Sequence, residues 1–274
     1  MELHTHTAAE PGLLVNSYLL ETDGGVIIID TTLLNSDIAA LRARAEAIGK
    51  PLLAVFVTHA HPDHFNGVHE LVAGTRVPVY ATTGVAQAIR DVADAKRTQW
   101  GPVYGDEWPA LTAYPSVELA DGERVIIDGL TITAHEFGGG ESHADSVLTV
   151  DADGRTLAFI GDLAFAGTHP YTADGHVLAW LSTLDRLSTD LVDAEIFPGH
   201  GAPGTVALFD DQRRYLLYYA ELVRRLSDGQ PALTEPARAE LETQMRRFLP
   251  DAPLTWMITL GADAVATELA GSNR

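Results

Sequence analysis

Over the first 200 residues, short apolar stretches of strand length recur between clusters of Gly, Asp and Pro. Leu13–Glu21 and Val26–Asp30 read as a hairpin turning at Thr22-Asp23-Gly24-Gly25. Leu52–Val57 is apolar at every position, the pattern of a strand covered on both faces. Further strands are predicted over Val77–Ala81, Val125–Asp128, Leu130–Phe137, Ser146–Asp151, Thr156–Ile160 and Glu195–Phe197. Helical spacing lies between them at Ser36–Gly49, Gly67–Ala73, Gly84–Lys96 and Leu178–Leu187, with Ser36 suited to an N-cap and Gly49 to a stop. After Gly204 the pattern turns helical over Val206–Leu226 and Glu235–Phe248, with one more strand predicted at Leu254–Leu260. Thr98–Pro115 has three prolines and two tryptophans, no clear period, and reads as a loop. This order predicts a layered α/β fold. No Pro/Gly-rich linker isolates the C-terminal helices, so the chain reads as a single domain over 1–274, with a core about 13–204 and a helical extension about 205–250.

Composition narrows the chemistry. The 274 residues are 46% hydrophobic and 20% charged, ordinary for a globular chain and far from a disordered one. Eighteen Lys and Arg against 38 Asp and Glu leave a formal charge of −20, which opposes nucleic-acid backbones and anionic membranes as partners. There is no cysteine, so thiolate nucleophiles, iron–sulfur clusters and Cys-based zinc sites are excluded and any metal must be held by His, Asp or Glu. The polar start of the chain and the shortness of its apolar runs carry no export or membrane signal, and the expectation is a cytoplasmic protein acting on a small molecule. A homodimer through the helical extension stays open.

The densest chemical signal is Thr58-His59-Ala60-His61-Pro62-Asp63-His64, directly after the apolar run Leu52–Val57. Alternate residues of an extended segment face the same way, so His59 and His61 can converge on one ion. Asp63 and His64, at the turn that follows Pro62, can face a second ion about 4 Å away. Imidazole and carboxylate without thiolate suit zinc, and also iron or manganese. A His-rich surface loop is the bland reading, and four ligand-type residues in six positions after a core strand argue against it. Three later residues join the set: His143 in Gly138–Ser146, Asp162 after Thr156–Ile160, and His200 after Glu195–Phe197, each beside glycine at a predicted strand end. His4 and His6 form a second His-x-His without partners and read as a polar edge strand, while Tyr215–Tyr219 reads as a helix packing face.

The series His59-x-His61-x-Asp63-His64, His143, Asp162, His200, together with Asp30 at a strand end, resembles the metallo-β-lactamase superfamily over about residues 13–204. The resemblance implies a four-layer αββα sandwich with two zinc ions at one edge. It implies His59, His61 and His143 on the first ion, Asp63, His64 and His200 on the second, Asp162 between them, and Asp30 behind the loop. A hydroxide bridging the two ions would attack an ester, lactone, thioester or amide bond, and Asp63 would orient it and carry its proton as the catalytic residue. Substrate-lining candidates are Trp100, Trp108, Phe165, His169 and Tyr171. A second reading on the same fold is a persulfide dioxygenase with one iron held by His59, His143 and Asp162.

Several branches of the family fit poorly. Thiolate-using β-lactamases carry Cys where Asp162 stands, flavodiiron proteins carry Glu at the His61 position, and nucleases are opposed by the charge. Acyl-homoserine lactonases carry Tyr where Phe165 stands, although Tyr171 is near in sequence. The segment Ser142-His143-Ala144-Asp145-Ser146 departs from the Gly-His-Thr pattern of many thioesterases, which points to a subgroup distinct from glyoxalase II. Arg213, Arg214, Arg224 and Arg225 lie where such enzymes hold glutathione, but read as a solvated helix face.

Overall fold

Ile27 and Ile29 enter one apolar core and Val26 and Ile28 another, and the next strand repeats this with Ala54 and Phe56 against Val55 and Val57. A strand apolar on both sides must lie between two layers, which is why the run from Leu52 shows no polar alternation. In the computed structural model, which describes residues 1–271, that strand belongs to the first of two sheets.

The first half of the chain contains β1 (Glu2–Thr7), β2 (Asn16–Glu21), β3 (Val26–Ile29), α1 (Asn35–Ala47), β4 (Leu52–Phe56), α2 (Pro62–Phe65), α3 (Val68–Val72), β5 (Val79–Thr82), α4 (Thr83–Tyr104) and β6 (Val117–Leu119). These six strands form one sheet in sequence order, antiparallel from β1 to β3 and parallel from β3 to β6. The second half continues with β7 (Arg124–Ile127), β8 (Leu130–Gly138), β9 (Asp145–Ala152), β10 (Arg155–Phe165), α5 (Val177–Asp190), β11 (Glu195–His200), α6 (Ala207–Ser227), α7 (Glu235–Phe248), α8 (Met257–Leu260) and α9 (Ala262–Gly271). Its five strands form the second sheet in the order β11-β10-β9-β8-β7, with only β10 and β11 parallel.

Three apolar layers hold these elements together. Phe56, Ile132, Leu148, Phe159 and their neighbours fill the space between the sheets. Val85, Ile89 and Leu41 from α4 and α1 cover the first sheet, and Trp180, Leu216, Tyr219 and Val265 from α5, α6 and α9 cover the second. The result is the expected four-layer αββα sandwich, with the C-terminal helices packed on its outer face. Tyr215, Leu216 and Tyr219 are buried there, as expected of a packing face, and β1 is an edge strand. No described helix is long and apolar enough to cross a membrane.

Two expected elements differ. Leu254–Leu260 forms a turn and the short helix α8, burying Met257 and Ile258 on neighbouring helices instead of pairing with a sheet. A short apolar run has no intrinsic period to distinguish the two outcomes. The supposed loop from Thr98 begins as helix: α4 continues to Tyr104, with Pro102 tolerated in its last turns, and stops where Gly105 takes φ +55°. That extension carries Trp100 and Tyr104 onward from Lys96 along one edge of the sandwich, where all three line a cleft.

Candidate metal centre

The strand ends β3 and β4 meet this edge, and Asp30 fastens them. Its Oδ1 accepts the Thr58 backbone N–H at 2.8 Å, and its Oδ2 accepts the Thr58 hydroxyl at 2.7 Å and His64 Nδ1–H at 2.8 Å. The Thr58 hydroxyl, committed as a donor to Asp30, therefore accepts His59 Nδ1–H at 3.1 Å. His200 Nδ1–H donates to the Leu13 carbonyl at 2.9 Å, and His61 Nε2–H donates to Asp174 at 3.0 Å. Each of these four imidazoles thus has one nitrogen engaged from behind. The opposite nitrogen faces a common centre, as in imidazoles that hold metals.

Two groups of ligand atoms result, and Asp162 belongs to both. In one, Glu141 Oε2 lies 2.9 Å from His61 Nδ1 and 3.6 Å from His59 Nε2, and Asp162 Oδ2 lies 3.9 Å from His59 Nε2. In the other, His200 Nε2 is 3.2 Å from both Asp63 and Asp162, and His64 Nε2 is 3.3 Å from Asp162 and 3.6 Å from Asp63. All seven residues are buried. His59 Nε2, His64 Nε2, both Glu141 oxygens and Asp162 Oδ1 have no hydrogen-bond partner. Buried polar atoms left unpaired in such number are costly unless a cation stands among them, so the donor set fits divalent metal. Two imidazoles and two carboxylates per group suit zinc, manganese or iron alike.

Close approach of two chain segments builds this arrangement. A Cβ on Gly199 would stand 2.1 Å from Asp162 Oδ1 and 2.7 Å from His64 Cε1, so only glycine admits both side chains. Gly161, at φ +51°, likewise leaves room for Thr58 and His59. Ser146 on β9 ties the loop from the other sheet, its N–H and hydroxyl both donating to the Thr58 carbonyl.

Burial and charge oppose each other here. Burial disfavours the charged imidazoles, but Glu141 and Asp174 on either side of His61 push it up to about 10. Burial acts the same way on His200, and Asp162 and Asp63 push it to about 10. Glu141 is pushed up to about 8 by burial, against the pull of His61. Asp63 is held down at about 2, because His64 and His200 outweigh its burial.

His143 is not brought into either group. Its ring is exposed, with Nδ1 2.7 Å from His176 Nε2. Asp145 explains the difference: its carboxylate accepts both the N–H and the hydroxyl of Ser142, closing a turn that aims Glu141 inward. His59, His61, Asp63, His64, Asp162 and His200 do come together. Of the substrate-lining candidates, Trp100, Trp108, Phe165 and Tyr171 line the cleft. His169 does not; it is buried, with Nδ1 2.9 Å from the Tyr215 hydroxyl. Glu141 stood in the glycine-rich segment quoted for His143, so a sequence signal existed. Asp174, 113 residues from His61, and Trp256, at the far end of the chain, had none.

A family model described as the metallo-beta-lactamase superfamily matches residues 11–200. The hydroxyacylglutathione hydrolase of Hyphomonas neptunium is 24% identical over 255 residues, covering 90% of this chain and 88% of that protein. Its counterpart from Actinobacillus pleuropneumoniae serotype 3 is 26% identical over 260 residues, covering 89% and 91%. Among solved structures, a beta-lactamase domain protein from Burkholderia ambifaria superposes with TM-score 0.68 at 22% identity, covering 94% of this chain and 83% of that one. A metallo-beta-lactamase from Pontibacter korlensis gives TM-score 0.61 at 22% identity, covering 78% and 94%.

Proposed function

The chain belongs to the metallo-beta-lactamase superfamily, and on that premise we propose that it is a metal-dependent hydrolase of a small molecule, cleaving an ester, lactone, thioester or amide bond with two divalent ions, zinc foremost. The observation that carries this reading is the pair of four-residue groups sharing Asp162. By this reading His59, His61, Glu141 and Asp162 hold one ion, and Asp63, His64, Asp162 and His200 hold the other. Bound there, such ions supply Lewis acidity and a nucleophilic water at neutral pH.

The protein's own part is positional. Asp30, Thr58, Asp174 and the Leu13 carbonyl fix which imidazole nitrogen carries the proton, so the donor atoms wait in place. Asp63 lines the cleft, is nearly buried, and is held anionic by His64 and His200. From that position its carboxylate orients the attacking water, takes up the proton the water gives off, and hands it to the leaving group. The wall of Trp100, Tyr104 and Trp108 excludes bulk water from the substrate side.

The relatives' activity, hydrolysis of hydroxyacylglutathione, places thioesters among the bonds to try. The one-iron alternative draws on His143, whose ring faces His176, and no feature of the site favours it. Elemental analysis of the purified protein, alongside hydrolysis of ester, lactone, thioester and β-lactam panels, tests the proposal. Two zinc per chain with chelator-sensitive hydrolysis is the expected result. A metal-free protein after reconstitution, or one iron with oxygen uptake on a persulfide, overturns it.

A further inference from the structure

The cleft beside the ligand groups is lined by aromatic and aliphatic side chains, and among the described residues its one cationic group apart from histidine is Lys96. That ammonium is already engaged, 3.6 Å from Asp174 and 3.3 Å from the Tyr171 hydroxyl, and it lies over the Tyr171 ring. None of the arginines on α6 lines the cleft. Arg213 pairs with Asp185, Arg214 with Asp211 and Arg224 with Glu221. Away from the ligand groups, an anionic substrate entering here would give up hydration and find no free cationic side chain among the described residues, on a chain whose net charge is −20.

The apolar wall also continues outward. Trp100 and Trp256 have ring centroids 6.2 Å apart, and with Leu13 and Tyr104 they line both the cleft and an adjoining groove. That groove runs on past Val103 and Leu254, and Val103 is 67% exposed. A continuous aromatic track leading away from the ligand groups accommodates an elongated apolar body.

Resting on the hydrolase reading, we propose that the substrate is an uncharged acyl compound whose aryl or alkyl body lies along the track of Trp100, Tyr104 and Trp256, and that peptide-like anionic carriers such as glutathione are disfavoured. The inference departs from the activity of the hydroxyacylglutathione hydrolases, and it follows from the engagement of Lys96 and from the apolar track, with no other lysine or arginine lining the cleft among the described residues.

The test uses matched thioesters. The same hexanoyl group is joined to N-acetylcysteamine, which is uncharged, or to glutathione, which carries two carboxylates, so the scissile bond is identical. For the metal-loaded protein the expected kcat/KM is at least about tenfold higher for the neutral thioester, and Trp100→Ala and Trp256→Ala raise KM for it with metal content unchanged. A glutathione thioester cleaved equally well or better overturns the proposal. A second arm needs no turnover: tryptophan fluorescence titrated with S-hexyl-N-acetylcysteamine and with S-hexylglutathione. Tighter binding of the neutral thioether, weakened by Trp256→Ala, supports the substrate class even if no ester or thioester is hydrolysed, in which case the hydrolase reading fails by itself. Equal or tighter binding of S-hexylglutathione overturns the substrate class whatever the hydrolysis result.

Discussion

The Glu141 carboxylate stands 2.9 Å from Nδ1 of His61, while Asp174 holds the opposite nitrogen of the same ring at 3.0 Å. One imidazole is thus clamped between two carboxylates, one facing the ligand cluster and one behind it. With Glu141 counted, the clustered carboxylates number three, so two divalent ions would leave one positive charge before any water joins them.

Glu141 and His143 can be separated experimentally. Glu141→Gln is expected to lower metal content from two ions per chain toward one, or to weaken binding by roughly 10–100-fold. His143→Ala, on an exposed ring, is expected to leave stoichiometry unchanged. Metal lost in the His143 variant and kept in the Glu141 variant would reverse the assignment.

Asp174 acts on the site through His61. In Asp174→Asn the ring loses the carboxylate behind it, and affinity for an ion proposed to sit among His59, His61 and Glu141 is expected to fall by roughly 10-fold or more. The readout is a competitive titration with a chromophoric chelator. Unchanged affinity for both ions would remove Asp174 from this role.

Asp63 lies within 3.2 Å of His200 and lines the cleft. Asp63→Asn keeps the shape and one oxygen donor but cannot carry the proton. The expected outcome is a loss of kcat of about 100-fold or more with little change in melting temperature. Unaltered kcat would refute the assignment.

His169 makes a pH prediction. Its burial, reinforced by the nearby Arg246, holds it at about 4, below the usual 6.5. Above pH 6.5 it is neutral in both folded and unfolded chains and contributes no pH dependence. As pH falls from 6.5 toward 4, only the unfolded chain takes up this proton, so stability is lost, by up to about 3 kcal/mol. Urea unfolding of wild type and His169→Gln at pH 7 and pH 5 isolates this share. The variant is expected to lose less stability than wild type over that interval, and an equal loss would refute the prediction.

Gly199 has no room for a side chain. Gly199→Ala drives a methyl into Asp162 and His64, and is expected to cost about 1–3 kcal/mol in stability and to lower metal content. A fully loaded, equally stable variant would show that β11 can shift without harming the site.

What the linear order of residues determined is what short-range geometry controls. A strand apolar on both sides has to lie between two layers, so Leu52–Val57 announced the sandwich. His59-x-His61-x-Asp63-His64 brings four candidate ligands close together within one strand end and one turn, by local geometry alone. Asp162 and His200 stand at strand ends beside glycine, a position legible in the sequence, and the packing of the two sheets brings them to His64 and Asp63. Tertiary structure decided the rest. Glu141 and His143 are both ligand types two positions apart, and only the turn closed by Asp145 and Ser142 chooses between them. Asp174 reaches His61 across 113 residues, Trp256 meets Trp100 from the C-terminal helices, and helix α4 runs on through a segment whose prolines suggested a loop. Such contacts arise only when separate layers pack, because a side chain's direction in a loop depends on what closes the loop and not on its spacing along the chain.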